Sequence, residues 1–285
     1  MVWKKPLLVV LFIIGFLCCI FPTASSFIEG YYQRDAIATY QNNINSSNKE
    51  ELEHDLKKAE EFNSLLFEYN NATTGNISFS FLDKLNYENI LNRGNGVIGS
   101  IEIPKIGVNL PIYHGTEDDV LSVGIGHVYG SSFPIGGVGT RSILTGHRGL
   151  PNAQLFTRLD EIVEGDLFFI RVLNKILAYK VCDIEIIKPD EVDVVNAVQD
   201  KDLVSLITCT PYGLNTHRLV VTGERTEYEQ AIYDNIESKG MSIREYIFLS
   251  IPFIFLVIIV GRRVKNARKK NKNNSINLSD DNFTN

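Results

Sequence analysis

Between residues 97 and 223 the chain repeats one pattern: a short run of β-branched and apolar residues, then Gly, Pro or Asn. The runs at 97–103, 108–113, 141–145, 166–172, 176–187, 203–209 and 218–223 have strand length, and the turn residues between them interrupt any long helical periodicity. A chain built from so many short strands exposes unpaired sheet edges unless the sheet closes on itself. The pattern therefore predicts a mainly β domain, a β-barrel over residues 96–228, with a short helix or turn at 153–159 and an acidic loop at 190–202.

The flanks read differently. After Lys4 and Lys5, residues 6–21 are almost wholly apolar, which suits a signal-peptide core or the first half of a longer membrane anchor. Thr23-Ala24-Ser25-Ser26 offers small residues for cleavage, whereas Phe27 and Ile28 would prolong an uncleaved helix, so residues 1–28 are a signal peptide or an N-terminal anchor. Residues 29–95 read as a helical stem followed by loop. A helix over 46–69 is capped by Ser47 or Asn48, opens with Glu50 and Glu51, and carries the stripe Leu52, Leu56, Ala59, Phe62 and Leu66. Residues 70–95 are polar and broken by Gly75 and Gly94. Beyond a juxtamembrane linker at 229–245, residues 246–261 would rise about 24 Å as a helix. That is short of the ~30 Å hydrocarbon core by an amount that local thinning and snorkelling of Arg262 and Arg263 can cover.

Arg262, Arg263, Lys265, Arg268, Lys269, Lys270 and Lys272 make residues 262–285 a basic tail, and the positive-inside rule puts it in the cytoplasm together with Lys4 and Lys5. The middle of the chain is then outside the cell and tied to the membrane at both ends. The tail can also contact anionic headgroups, and from Asn271 its Asn/Ser/Asp-rich composition predicts disorder. With these cations at the termini and a net charge of −6, the middle is strongly acidic, which excludes a nucleic-acid footprint.

The chemistry concentrates in residues 203–223, where two strands are joined by Pro211-Tyr212-Gly213 and Asn215. Cys209 ends the first strand and Arg218 begins the second, so a thiol and a guanidinium face one another across the base of the loop. A thiolate is the competent nucleophile, a neighbouring cation favours it, and an Arg fork can hold a carbonyl oxygen that gains negative charge. The proton partner is sought upstream, in Leu144-Thr145-Gly146-His147-Arg148-Gly149, where His147 follows a strand-like run and sits among glycines. Of the other cysteines, Cys18 and Cys19 lie in the apolar N-terminal run. Pairing Cys182 with Cys209 would block the nucleophile, so both are expected as free thiols, with Cys182 a packing residue of its strand. No CxxC or His/Cys spacing suggests a metal site, and no cofactor is implied.

Taken together, TGHRG, SLITC and HRLVV resemble the sortases, the cysteine transpeptidases of Gram-positive cell surfaces. The family's Thr-Leu-x-Thr-Cys signature stands here as Ser205-Leu206-Ile207-Thr208-Cys209, with Ser for the first Thr. Across 97–225 the phrases IEIPKIGVNLPIYHGT, GIGHVYGSSFPIGG and TCTPYGLNTHRL look like the pilus-assembling class C. The resemblance implies an eight-stranded sortase barrel with short helices and catalysis by Cys209, His147 and Arg218. Thr208 and Thr210 would hydrogen-bond substrate or offer a backbone N–H to the oxyanion, and His127, from Gly126-His127-Val128, would line the cleft. The partners implied are pilin or surface proteins with a C-terminal LPxTG-like sorting signal, and a lysine or cell-wall amine as acceptor. A housekeeping sortase, a hydrolase that stops at water and a non-enzymatic pilin-binding scaffold are the alternatives. Class C members commonly carry a lid with an Asp-Pro-aromatic triplet. Here Phe79-Ser80-Phe81-Leu82-Asp83 supplies aromatics and an acid without the proline.

Overall fold

The computed structural model describes residues 4–72, 86–191 and 196–236, and from 246 to 268 the residues 246–247, 250–251, 253–265 and 268. The barrel is closed. Strands β1 (Val97–Ile103), β2 (Val108–His114), β3 (Ile125–His127), β4 (Thr140–Thr145), β5 (Leu167–Val172), β6 (Lys175–Ile187), β7 (Asp202–Thr210) and β8 (His217–Thr226) follow one another around the sheet as β1-β2-β3-β4-β7-β8-β6-β5. The circle shuts where Ser100, Ile101 and Glu102 of β1 pair with Arg171, Ile170 and Phe169 of β5. No edge is left unpaired, as a chain of short strands requires. The predicted strands are all present to within a few residues, and β3 is an addition.

Two pairings are parallel, β2 with β3 and β4 with β7. Parallel neighbours need a crossover, because a two-residue turn reverses the chain. Between β4 and β7 that crossover contains the whole β5–β6 hairpin. Residues more than 60 apart in sequence, Thr145 and Ile207, thereby become neighbours.

The interior is largely apolar: Ile98, Ile101, Ile112, Ile125, Phe156, Phe168, Ile170 and Tyr179 are all essentially inaccessible. The ring of Phe168 stacks on Tyr179 with centroids 5.5 Å apart. Gly223 on β8 leaves the space for that stack, since a Cβ there would come within 2.4 Å of the Phe168 ring.

Residues 24–240 form one compact unit, and 1–23 with 241–285 another. Helix α1 (Lys4–Ser46) runs without a break through residue 28, and its stretch from Val10 is long and apolar enough to cross a membrane. Val10, Leu17 and Phe21 are exposed, as are Phe253, Val257 and Ile258 in the helical residues 253–265. Much of the basic tail lies outside the described residues, as does 73–85, which contains the aromatic-acid run considered for a lid.

Helix α2 (Lys49–Ala72) is the stem expected from the apolar stripe. Its cap is Asn48, whose Oδ1 accepts the Glu51 N–H at 2.8 Å while its Nδ2 donates to Glu51 Oε1 at 3.1 Å. Ala59, Phe62 and Leu66 are buried, and Asn63 bonds Phe133 reciprocally, accepting its N–H at 2.7 Å and donating to its carbonyl at 3.2 Å. The region after α2 differs from its polar reading. Tyr87, in a 3-10 turn (Tyr87–Asn89), and Ile90 and Leu91 are buried in the core. Spaced irregularly among Asn and Glu, they carry no periodic signal. Among the described residues are two further short helices, α3 (Asp118–Val123) and α4 (Gln230–Asp234), and 3-10 turns at Pro104–Ile106 and Leu159–Glu161.

Tyr40 of α1 ties helix to barrel. Its hydroxyl donates to Ile98 O at 3.1 Å and accepts the Leu173 N–H at 2.9 Å. Removing that hydroxyl strands a buried N–H, and such a loss costs about 1–3 kcal/mol. Tyr40→Phe should lower unfolding stability by that amount in denaturant titrations of the detergent-solubilised protein, and an unchanged midpoint would show that the tie contributes nothing.

Candidate active site

The order β4-β7-β8 decides the geometry. Cys209 lies at the end of β7 and is paired directly with Arg218 of β8. Opposed residues of an antiparallel pair project from the same face, with Cβ atoms about 4.5–5.5 Å apart. On the other side of β7, the parallel register of β4 ends at Thr145 opposite Ile207, and the lacing continues past the strand: the Gly146 N–H donates to Ile207 O at 3.1 Å. His147 follows at once. The three predicted catalytic residues thus come to one end of three adjacent strands, thiol in the middle, imidazole on one flank and guanidinium on the other. All three are half-buried.

Local chemistry fixes the flanks. Gly146 has no room for a side chain, since a Cβ would meet Ile125 Cδ1 at 2.6 Å and the Phe156 ring at 3.0 Å. The His147 carbonyl accepts the Phe156 N–H at 3.2 Å, closing the loop that carries it. Arg218 Nη1 is held by carbonyls of its own loop, Asn215 O at 3.4 Å and His217 O at 3.2 Å.

The remaining predicted positions, Thr208, Thr210 and His127, are buried and hydrogen-bonded within the fold. Thr208 is buried and its hydroxyl donates to Gly146 O at 2.7 Å; the Thr210 hydroxyl, also buried, accepts from Arg148 Nη1 at 3.2 Å. His127 is inaccessible in the barrel interior, away from solvent. Its Nε2 lies 2.9 Å from Ser132 O and so carries the hydrogen, which leaves Nδ1 to accept from the Tyr87 hydroxyl at 2.7 Å. The buried Tyr87 that anchors this histidine had no sequence signal. Cys182, expected to be a packing residue, is exposed instead, at a bulge of β6 between Val181 and Asp183 that turns it outward. Cys18, Cys182 and Cys209 are free thiols, and among the described residues no group of His, Cys, Asp and Glu could hold a metal.

A family model for the sortase domain matches residues 101–226. Sortase C1 of Streptococcus agalactiae superposes with a TM-score of 0.64 at 39% identity, over 68% of this chain and 100% of that one. This chain belongs to the sortase family. Clostridium perfringens sortase C, solved with the C-terminal cell wall sorting motif, superposes with a TM-score of 0.59 at 42% identity, over 68% of this chain and 99% of that one. In sequence, sortase D of Bacillus subtilis strain 168 is 30% identical over 130 residues, 45% of this chain and 63% of that protein. Both solved neighbours named here are C-type sortases.

A pair of buried histidines, His114 and His127, lies in register on β2 and β3. His114 Nε2 donates to Ile90 O at 2.8 Å, and its Nδ1 is buried with no partner among the described residues. Burial pushes both imidazoles down, His127 to about 3, further helped by the neighbouring His114. Glu88 acts on His114 in the opposite sense but does not outweigh burial. The unfolded chain, whose histidines titrate near 6.5, therefore binds protons first as pH falls. Stability is fully present above pH ~7 and is lost on going below ~6.5, by about 1–2 kcal/mol between pH 7.5 and 5.5. Urea unfolding at the two pH values checks this; equal stabilities would mean that neither ring is neutral in the fold.

Proposed function

We propose that this sortase is a pilin-polymerising transpeptidase. The observation that carries the reading is the β4-β7-β8 adjacency, which gathers His147, Cys209 and Arg218 at one barrel end. Cys209 as thiolate attacks a backbone carbonyl of a bound LPxTG-like sorting signal. The S–C bond forms, the peptide C–N bond breaks, and His147 protonates the departing amine. A lysine amine of the next pilin then attacks the thioester while His147 takes its proton, and the thiolate leaves from a new isopeptide bond. Arg218 stabilises the oxyanion in both halves. That a class C relative was solved with its sorting motif supports a peptide tail as substrate.

The arrangement in the membrane follows from the ends of the chain. The N-terminal helix anchors the protein and the barrel works on the outer face. We read 246–261 as a second span and 262–285 as a cytoplasmic basic tail.

Incubation of the protein with a sorting-signal peptide should give a covalent adduct by intact mass, located on residue 209 and absent from Cys209→Ala. Added amine should divert it to an amide product, and water alone as acceptor would make the enzyme a hydrolase. Arg218→Lys keeps the charge but loses the planar fork, and kcat/KM should fall about 10²-fold or more. Activity near that of the parent would remove the oxyanion role from Arg218.

A further inference from the structure

Arg148 follows His147 in the TGHRG motif, where local sequence gives it no task. In the fold its side chain is 3% exposed, unusual for a guanidinium; both terminal nitrogens are engaged, and the buried Nε has no partner among the described residues. Nη2 forms an ion pair with Asp160 at 2.5 Å, Nη1 donates to Thr210 Oγ1 at 3.2 Å, and the group lies 5.9 Å from the centroid of the Tyr212 ring. Asp160 is brought within reach because the chain after His147 folds back on itself: Phe156 N–H bonds His147 O, and Gly149 N–H bonds Thr157 Oγ1 at 3.2 Å.

The partners form a bracket. Residue 208 is tied to 146 through the Thr208 hydroxyl, and 210 is tied to 148 through the Arg148 guanidinium. Between these two ties stand 209 on one chain and 147 on the other. The first tie is a short hydroxyl-to-carbonyl bond between chains already in register. The second lies past the end of the β4–β7 ladder at Thr145 and Ile207, where a long side chain bridges the two segments.

We propose that Arg148 is a positioning residue: locked by Asp160, it holds the Thr210 end of the nucleophile's strand against the histidine loop and so sets the separation of the Cys209 sulfur from the His147 ring. The inference rests on the transpeptidase reading for its kinetic consequence, but the geometry it asserts can be probed without substrate. Lysine would not replace Arg148, because a single ammonium cannot serve Asp160 and Thr210 from opposite arms of a fork.

The test uses the full chain in detergent, comparing the parent with Thr210→Val, Arg148→Met, Arg148→Lys and the double variant Arg148→Met/Thr210→Val. One measurement is the rate of alkylation of residue 209 by iodoacetamide as a function of pH, with peptide mapping to separate it from Cys182. The other is kcat and KM for a sorting-signal peptide, per folded molecule. Thr210→Val, nearly isosteric, should shift the pH profile of alkylation by about 0.5 unit or more, as a changed imidazole–thiol distance requires. It should also lower kcat about tenfold or more with KM nearly unchanged. Arg148→Met should do the same, Arg148→Lys should not restore the parent, and the double variant should be no worse than the more severe single one. A folded Thr210→Val with the parental alkylation profile and kcat overturns the proposal, even if its melting temperature drops, because the contact is then structural only. A raised KM with both other readings unchanged also overturns it, and assigns Thr210 to substrate. Should Arg148→Met fail to fold, Thr210→Val decides alone. Should the parent turn over no sorting-signal peptide, the transpeptidase reading fails while the alkylation profiles still decide the bracket.

Discussion

The parallel register of β4 against β7 is the constraint on which the site depends. Strand ends in a closed barrel are the natural places to display side chains, but only adjacent strands with matched termini bring two of them to the same height. Here the β4–β7 ladder ends with Thr145 beside Ile207, so that two residues further on His147 and Cys209 come level on adjacent segments. The antiparallel β7–β8 pair then adds Arg218 opposite Cys209 without any further device. Because side chains alternate along a strand, a slip of one residue in either pairing would send one of these groups to the other face. Register is protected by burial: Ser205, Leu206 and Ile207 are inaccessible or nearly so, and the Arg141–Ser205–Thr222 hydroxyl chain crosses all three strands at 3.1 Å per link.

The second requirement is that the barrel be held from outside by elements whose polar groups are satisfied. The stem does this with few, well-chosen contacts. Tyr40 serves two backbone groups, Asn63 serves Phe133 at both N–H and C=O, and Phe62 stacks edge-on against Phe133 at 4.9 Å. Tyr87 then links this outer layer to the histidine pair of β2 and β3, accepting the Gly115 N–H at 3.3 Å while donating to His127. Burial raises the Tyr87 phenol well above its ordinary range, so it remains a donor at any physiological pH. A neutral histidine with one bare nitrogen is the complementary acceptor. Each group's protonation state is thus what the other needs.

Much of this was legible in the sequence, for reasons that can be named. The strands of residues 97–223 announce themselves through apolar runs and turn residues, and the stem helix through its cap and its stripe. Cys209, His147 and Arg218 stand in motifs at strand ends, where chemistry is displayed. Strand β3 was not legible, being three residues long with Gly126 at its centre, too short to show a period. Nor was the burial of His127, which depends on a hydroxyl 40 residues away. The task of Arg148 is hidden for the same reason: its partners Asp160 and Thr210 are 12 and 62 residues distant, and no local pattern links them. Local propensity and periodicity reveal elements; the pairing of polar groups across a closed barrel is a property of topology.

Topology also gives the two thiols on this barrel different surroundings. Strand β8 is flanked by β7 on one side and β6 on the other, and each carries a cysteine. Near its start β8 pairs Arg218 with Cys209; near its end it carries Glu224, opposite Lys180 of β6 and close enough to act on Cys182. Partial desolvation and then the Glu224 carboxylate push the Cys182 thiol up, away from the thiolate form. Its bulge turns it outward, where its sulfur rests against Thr222 O at 3.5 Å, and the neighbours on its own strand include the acids Asp183 and Glu185. Lys201, paired with Glu224 at 2.8 Å, draws that thiol the other way without outweighing burial and the carboxylate. One strand thus sets a guanidinium opposite the first cysteine and an acid near the second.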